Sequence, residues 1–225
     1  MSKSDLFTSS LAKKYVMALT GLFLISFLVV HATINALIFV NDGGETFNTA
    51  ADFMAHNIII RIMEVGLFFG LVLHMVQSLM LTIQNNKARP VKYAVPPSNA
   101  SSKWYSRSMG ILGSLLLIFL VVHLANFWVG TKQAVFAGEE HNTFNEMKKV
   151  FSESSMKEVF IVIYMMGIIA LSYHLMHGFQ SAFQSLGLNH KKYTPVIKAV
   201  GMGFSIIVPL LFALMPLSIY LGIIQ

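Results

Sequence analysis

The sequence predicts an all-α integral membrane protein in which a single domain, residues 1–225, forms a bundle of five transmembrane helices. The chain is 55% hydrophobic and only 12% charged, with a mean hydropathy of +0.65. Its charges are gathered into short polar segments between five apolar runs, each near the roughly 20 helical residues that cross a bilayer core. No segment alternates as the strands of a membrane barrel do, so helices are the spanning structure that satisfies the backbone.

In chain order, the transmembrane helices are expected at residues 16–40, 58–83, 108–130, 158–183 and 196–222. The first run follows a Lys-bearing start, but it is too long for a secretory signal and lacks a small-residue cleavage site, so it should stay attached. Pro209 and Pro216 interrupt the last run. The segment 131–157 is rich in acidic and amide side chains and is expected to be a solvated loop.

The basic residues predict the orientation in the membrane. Most of them flank one side of the predicted bundle: Lys3, Lys13, Lys14, Lys87, Arg89, Lys92, Lys103, Arg107, Lys191, Lys192 and Lys198. The positive-inside rule places this side, with the N-terminus, in the cytoplasm and the C-terminus outside. The acidic residues agree, since all but Asp5 fall towards the other side. The net charge of +6 is thus a collar that faces anionic lipid, and it does not indicate nucleic-acid binding.

The chain contains no cysteine. This composition excludes disulfides, iron–sulfur clusters held by thiolates, covalently attached c-type haem and thiol nucleophiles.

One histidine lies inside each of the first four apolar runs: His31, His74, His123 and His174. An ionisable side chain inside a bilayer is costly and therefore indicates a functional site. At a rise of 1.5 Å per residue, His31 and His123 lie about 22 Å from the cytoplasmic ends of their helices, and the other two lie about 14 Å from theirs. The four side chains are therefore expected at two levels, as two pairs.

Neutral imidazole binds haem iron, and iron that is ligated on both axial faces has no open position, which suits electron transfer. Pairing His31 with His123 and His74 with His174 predicts two stacked b-type haems, an outer and an inner one. Four glycines on the histidine faces of the second and fourth helices would let a flat porphyrin approach, unless they serve close helix packing instead. They are Gly66, Gly70, Gly167 and Gly178.

The other histidines are expected to have different roles. His56, His141 and His190 fall at helix ends or in loops and should be solvated. His177 lies one turn from His174, nearer the cytoplasm, which suits a haem propionate or a polar network better than iron.

Three short segments resemble a known family. They are residues 10–14 (SLAKK), 17–21 (MALTG) before His31, and 173–179 (YHLMHGF). Their order and spacing resemble the cytochrome b membrane-anchor subunit of succinate dehydrogenases and fumarate reductases, in its five-helix, single-polypeptide, two-haem form. The resemblance covers nearly the whole chain. It implies axial ligands on the first four helices, and its histidine–glycine spacing favours His174 over His177.

The resemblance also implies partners and a reaction. It implies a bacterial cytoplasmic membrane in which a flavoprotein and an iron–sulfur subunit dock on the cytoplasmic face. Electrons would pass through two haem b groups to a membrane quinone, with menaquinone expected, so the chain would be the quinone-reactive subunit of an enzyme complex. The chain has no dinucleotide-binding glycine pattern and no cysteine, and it therefore cannot oxidise succinate alone. Residues expected to meet the soluble subunits, or only to set the topology, are Lys13, Lys14, Arg89, Lys92, Lys103, Arg107, Lys191 and Lys192.

A quinone site near the outer haem would need hydrogen-bonding groups and a proton carrier. Asn35 and Asn126 follow the outer ligands by about one turn, and Glu64 enters the membrane from outside with Arg61 one turn before it. Glu64 is the candidate catalytic residue because a carboxylic acid near apolar groups can exchange protons close to neutral pH. The alternative is an Arg61–Glu64 pair that anchors the helix end.

Two other classes of protein remain compatible with the sequence. One is the cytochrome b anchor of a hydrogenase, a formate dehydrogenase or another quinone-linked dehydrogenase. The other is a haem-free transporter in which the membrane histidines form a proton relay. Internal repeats and broken helices, which are common in transporters, are not evident in the sequence.

Overall fold

The computed structural model describes residues 9–88 and 103–224, and within these two ranges the regular structure is entirely helical. The α-helices, in chain order, are α1 (Ser10–Ala36), α2 (Glu45–His56), α3 (Ile58–Lys87), α4 (Trp104–Arg107), α5 (Met109–His123), α6 (Val129–Ala137), α7 (Thr143–Lys148), α8 (Lys157–Ser185) and α9 (Thr194–Tyr220). A 3₁₀ turn (Leu37–Val40) extends α1. Two π-helical turns, Leu124–Trp128 and Lys149–Glu153, follow α5 and α7.

Five stretches of the described chain are long and apolar enough to cross a membrane: Leu11–Val40, Ile58–Lys87, Met109–Ala137, Lys157–Ser185 and Thr194–Tyr220. These stretches confirm the five predicted spans. The third runs further than hydropathy alone predicted, because the π-helical turn after α5 continues into α6. The basic residues Lys3, Arg89 and Lys92 and the acidic residue Asp5 lie outside the described residues, and the orientation stays a prediction.

Helix α8 lies at the centre of the bundle. It packs against α9, α5 and α1, and α1 packs in turn against α3. Gly167 and Ala170 are buried on α8, and small residues of this kind let helix backbones approach closely in a membrane. Helix α8, which carries His174, therefore packs directly against α1 and α5, the helices that carry His31 and His123. Helix α3, which carries His74, packs against α1.

Helix α9 continues through both of its internal prolines. Proline has no backbone N–H, so Pro209 leaves the carbonyl of Ser205 without its usual helical donor. The hydroxyl of Ser172 on α8 donates a hydrogen bond to this carbonyl at 2.7 Å. A neighbouring helix thus satisfies the backbone group that the proline frees, as the membrane interior requires.

A small cap closes one end of the bundle, and it corrects the prediction that residues 131–157 form a solvated loop. The cap consists of α2, α7 and the turn Lys149–Glu153. Phe144, Met147 and Phe151 of this segment are 2%, 7% and 1% exposed, and they join one apolar cluster with Phe47 and Ile219. The polar residues between them remain at the surface. They lower the mean hydropathy of the segment, so its buried apolar face is not visible in the sequence average.

The cap also depends on a glycine before α2. Gly44 has a φ of +85°, a left-handed conformation that glycine adopts without strain. A Cβ atom at this position would overlap the ring of Phe144. The two segments are joined further by Asn48, whose Oδ1 accepts from the Phe144 backbone N–H at 3.0 Å.

Candidate functional site

His31 of α1 and His123 of α5 lie side by side towards the cap end of the bundle. Their ring centres are 5.8 Å apart and their planes are nearly perpendicular, at 89°. Phe27 stacks on His31 and Phe119 stacks on His123, with ring centres 5.2 and 5.6 Å apart. The two imidazoles therefore share an apolar, aromatic compartment.

His74 of α3 and His174 of α8 form a second pair. Their ring centres are 6.2 Å apart, with an angle of 66° between the planes. The structure thus brings together the same two pairs that the depth calculation predicts. Whether these side chains bind iron stays a prediction.

The spacing within each pair fits a metal ion between two imidazoles. A first-row metal binds an imidazole nitrogen at about 2.0–2.1 Å, and with each ring centre about 1.1 Å behind its nitrogen, two opposed rings have centres about 6 Å apart. The observed 5.8 and 6.2 Å agree with this value. In the described ranges no group of three or more His, Asp or Glu side chains is arranged to hold a metal. Each pair brings together two imidazoles that could serve as ligands.

The Nδ1 atoms of three of these histidines face three different polar side chains. The Thr20 hydroxyl oxygen lies 3.0 Å from Nδ1 of His74, and the Asn35 amide nitrogen lies 3.3 Å from Nδ1 of His31. The Tyr164 hydroxyl oxygen lies 3.5 Å from Nδ1 of His123. Such contacts orient a ligand ring and decide which of its nitrogens carries the proton.

Two polar atoms beside the His74–His174 pair are buried without a hydrogen-bond partner in the described part of the chain. They are Nδ1 of His174 and Oε1 of Gln77, which lies one turn after His74. Buried polar groups are normally satisfied, and exceptions often mark a place where a further molecule binds. The fit of a cofactor to this pair therefore rests on the orphaned atoms as well as on the ring spacing.

The four glycines fall into two classes. A Cβ atom built on Gly70 would lie 3.0 Å from the ring of Phe23. One built on Gly167 would overlap the ring of Phe119. These two serve helix packing, which was the alternative to their predicted role. Gly66 and Gly178 face open space among the described residues. Gly178 is half-buried one turn after His174, whereas Gly66 is exposed and lies two turns before His74. Gly178 is therefore the glycine that leaves room beside a paired histidine.

His177 belongs to a polar contact and not to a pair. Its Nδ1 lies 2.9 Å from the hydroxyl oxygen of Ser106, on the short helix α4. Trp104, Tyr105 and Tyr173 form an aromatic group on the same two helices, with the rings of Trp104 and Tyr173 4.6 Å apart. The contact is of the polar kind that the sequence predicted for His177.

Glu64 makes an ion pair with a residue that the sequence did not suggest. The Nζ of Lys132 lies 2.6 Å from Oε2 of Glu64, and the indole N–H of Trp128 donates to Oε1 at 2.5 Å. Arg61 instead lies over the ring of Phe136, 5.7 Å from its centre. The predicted Arg61–Glu64 pair is therefore wrong, because Lys132 from another helix is the cation paired with this carboxylate.

The predicted quinone-binding amides are already engaged. Asn35 also donates to the backbone carbonyl of His31 at 2.8 Å, and Asn126 donates to the Tyr164 hydroxyl at 3.2 Å. Both amides thus support the His31–His123 pair. Binding of a quinone oxygen by Asn35 or Asn126 stays a prediction that would require these contacts to be exchanged.

Of the remaining histidines, two are exposed and one is partly buried. His56 and His190 are exposed as predicted, and His56 pairs with Asp52 at 3.0 Å. The prediction that His141 is solvated is wrong: its Nε2 is buried, and its ring lies against Gly130. Residues 139–143 fold against α6, which buries this side chain.

Thr20 and Tyr164 are the contacts that sequence reasoning missed. A threonine in an apolar helix gives little signal, because its hydroxyl can bond to a carbonyl of the preceding turn. Thr20 lies in the MALTG segment, but nothing in that segment indicates a contact with His74 on another helix.

Comparison of the chain with models of protein families, with curated proteins and with solved structures finds no match.

Proposed function

We propose that this chain is the di-haem cytochrome b membrane anchor of a succinate:quinone oxidoreductase. In this role it carries electrons between an iron–sulfur subunit and a membrane quinone, with menaquinone expected. The observation that carries the proposal is the presence of two histidine pairs on facing membrane helices, with ring centres 5.8 and 6.2 Å apart. The family itself enters through the MALTG and YHLMHGF segments, which are similar to those of such anchors.

The residues present fit two b-type haems. Bound haem would supply one-electron transfer through the iron. His31 and His123 would hold one group, and His74 and His174 the other, each as a neutral imidazole. With two histidines to hold each group, the site would suit electron transfer and not the binding of oxygen.

Quinone chemistry also needs a group that moves protons. We assign this role to Glu64, whose side chain is 23% exposed beside Lys132, at the end of α3 that lies near the His31–His123 level. Lys132 and Trp128 hold both carboxylate oxygens in place. For proton exchange, the carboxylate must release at least one of these contacts when a quinol is present.

A reduced-minus-oxidised absorption spectrum of the purified complex, with a haem-to-chain ratio, tests the proposal. We expect a b-type spectrum and two haems per chain. Absence of haem would overturn the proposal and favour a histidine proton relay in a transporter. The chain is also purified from its native membrane to identify the subunits that come with it. Two haems without a flavoprotein and an iron–sulfur subunit would favour the anchor of another quinone-linked dehydrogenase or a hydrogenase.

A further inference from the structure

We infer that Thr20 is a positioning residue for His74: it holds the ring with the proton on Nδ1 and so leaves Nε2 as the nitrogen that binds iron. This inference rests on the proposed function, because it concerns how the chain tunes one of its two haems. It is carried by the contacts around a single hydroxyl group on α1.

The Thr20 hydroxyl has one hydrogen and three close neighbours. The backbone carbonyl oxygen of Val16 lies 2.8 Å from it, and that of Met17 lies 3.2 Å from it. Carbonyl oxygens only accept, and a helical threonine commonly donates to the carbonyl of the preceding turn. We therefore assign the hydroxyl hydrogen to the Val16 carbonyl, which is the shortest of the three contacts. The third neighbour is Nδ1 of His74 at 3.0 Å. With its hydrogen already used, the Thr20 oxygen accepts from Nδ1–H of His74.

The backbone of α1 adds to this arrangement. Gly21 follows Thr20, and a Cβ atom built there would lie 3.5 Å from Cε1 of His74. The imidazole of His74 therefore lies close beside α1, next to a position without a side chain. The Thr20 hydroxyl is the polar contact that α1 makes with the ring.

The other histidines lack an equivalent acceptor. The neighbour of Nδ1 in His31 is the side-chain amide of Asn35 at 3.3 Å, and Nδ1 of His174 has no partner among the described residues. Tyr164 lies 3.5 Å from Nδ1 of His123, which is a longer contact than that of Thr20. A hydrogen bond that accepts from Nδ1–H makes an imidazole a stronger electron donor to its metal. This effect stabilises the oxidised iron, and it would act on the haem held by His74.

The test is a redox titration of the haem groups in membranes or in the purified complex of the Thr20→Val variant. Valine keeps the branched shape and removes the hydroxyl. We expect the midpoint potential of one haem to rise while the other stays unchanged. Each tenfold loss of affinity for oxidised relative to reduced iron corresponds to about 59 mV for one electron. Thr20→Ser, which keeps the hydroxyl, should restore the wild-type value.

Thr33→Val is the matched control. Thr33 lies on the same helix, donates to the Val29 carbonyl at 2.9 Å and is exposed. It should leave both potentials unchanged. Selective loss of one haem in Thr20→Val, with both retained in Thr20→Ser, would also support the inference.

Two results would overturn it. Unchanged potentials in Thr20→Val, with two haems in the wild type, would reject the role of Thr20 alone. A wild-type chain without haem would reject the proposed function, and the inference with it.

Discussion

The ammonium of Lys132 on α6 lies 2.6 Å from a carboxylate oxygen of Glu64 on α3. The two side chains are 13% and 23% exposed, and Trp128 donates to the other carboxylate oxygen. This contact joins two membrane helices that are far apart in the sequence. Removing one partner of a partly buried ion pair leaves the other charge uncompensated, so each substitution here has an effect on stability as well as on chemistry.

The first prediction separates these two effects. We expect Glu64→Gln to abolish quinone-linked turnover while both haems stay bound, because glutamine cannot carry a proton. The double variant Glu64→Gln/Lys132→Met removes the unpaired ammonium and should remain inactive, although its thermal stability should recover. Turnover and haem content are measured on the same preparations. Full turnover in Glu64→Gln would eliminate the proton role and leave only the ion pair.

The membrane spans were predictable because hydropathy sums over about 20 residues, and errors at single positions average out. The two histidine pairs followed from the same spans, since a fixed rise per residue converts sequence position into depth. The partner of Glu64 could not be predicted in this way. Spacing along one helix suggested Arg61, whereas Lys132 comes from a helix whose rotation about its axis is set by packing.

The cap was missed for a related reason. Phe144, Met147 and Phe151 are separated by polar and charged residues, and their buried face becomes visible only when α7 and the following π-helical turn are known. A π-helical turn changes the residue period, so a search for helical periodicity would also misplace Phe151.

The second prediction concerns this cap. Phe144 is 2% exposed, and its replacement by alanine should lower the free energy of unfolding by about 3–5 kcal/mol. Phe136, on the neighbouring helix α6, is 78% exposed, and Phe136→Ala should have little effect in comparison. Thermal unfolding in detergent measures both. Equal stability of the two variants would show that the cap contributes nothing to the bundle.

The third prediction is a pH dependence at the start of α2, outside the membrane spans. The Thr46 hydroxyl and backbone N–H both donate to Oδ2 of Asp42, and they lower the pKa of this carboxyl below its ordinary 3.8. A lowered pKa stabilises the folded state above the unfolded value, and this stabilisation is lost as the pH falls through the folded value. Asp42→Asn should therefore melt at a lower temperature than the wild type at pH 7. The difference should shrink below pH 3.8; a constant difference would contradict the linkage.

The fourth prediction uses the open space beside His174. A Cβ atom at Gly178 meets no other described atom within 4 Å, so the described residues leave open space where a side chain would begin. A porphyrin held by His174 would not tolerate a larger side chain there. Gly178→Leu should insert normally and bind one haem instead of two. Gly66→Leu, at an exposed glycine that also faces open space, is the control and should keep both haems.

The fifth prediction assigns the ligands by pair. Because each iron would lose one of its two axial nitrogens, His31→Ala and His123→Ala should remove the same haem, with the same spectral and redox signature. His74→Ala and His174→Ala should remove the other one. The measurement is which haem, by its spectrum and midpoint potential, each variant lacks. General damage to the bundle would not sort the four variants into these two classes.

His177→Ala is the control for this series, because His177 lies one turn from His174 but bonds to Ser106 at 2.9 Å. It should keep both haems at full occupancy. The depth calculation, the ring spacing and the orphaned Nδ1 of His174 favour position 174 over position 177 in the proposed ligand role. If His174→Ala kept both haems while His177→Ala lost one, the ligand would lie one turn along α8. The ring of His74 would then have to move along its neighbour to meet it, and its contact with Thr20 would break.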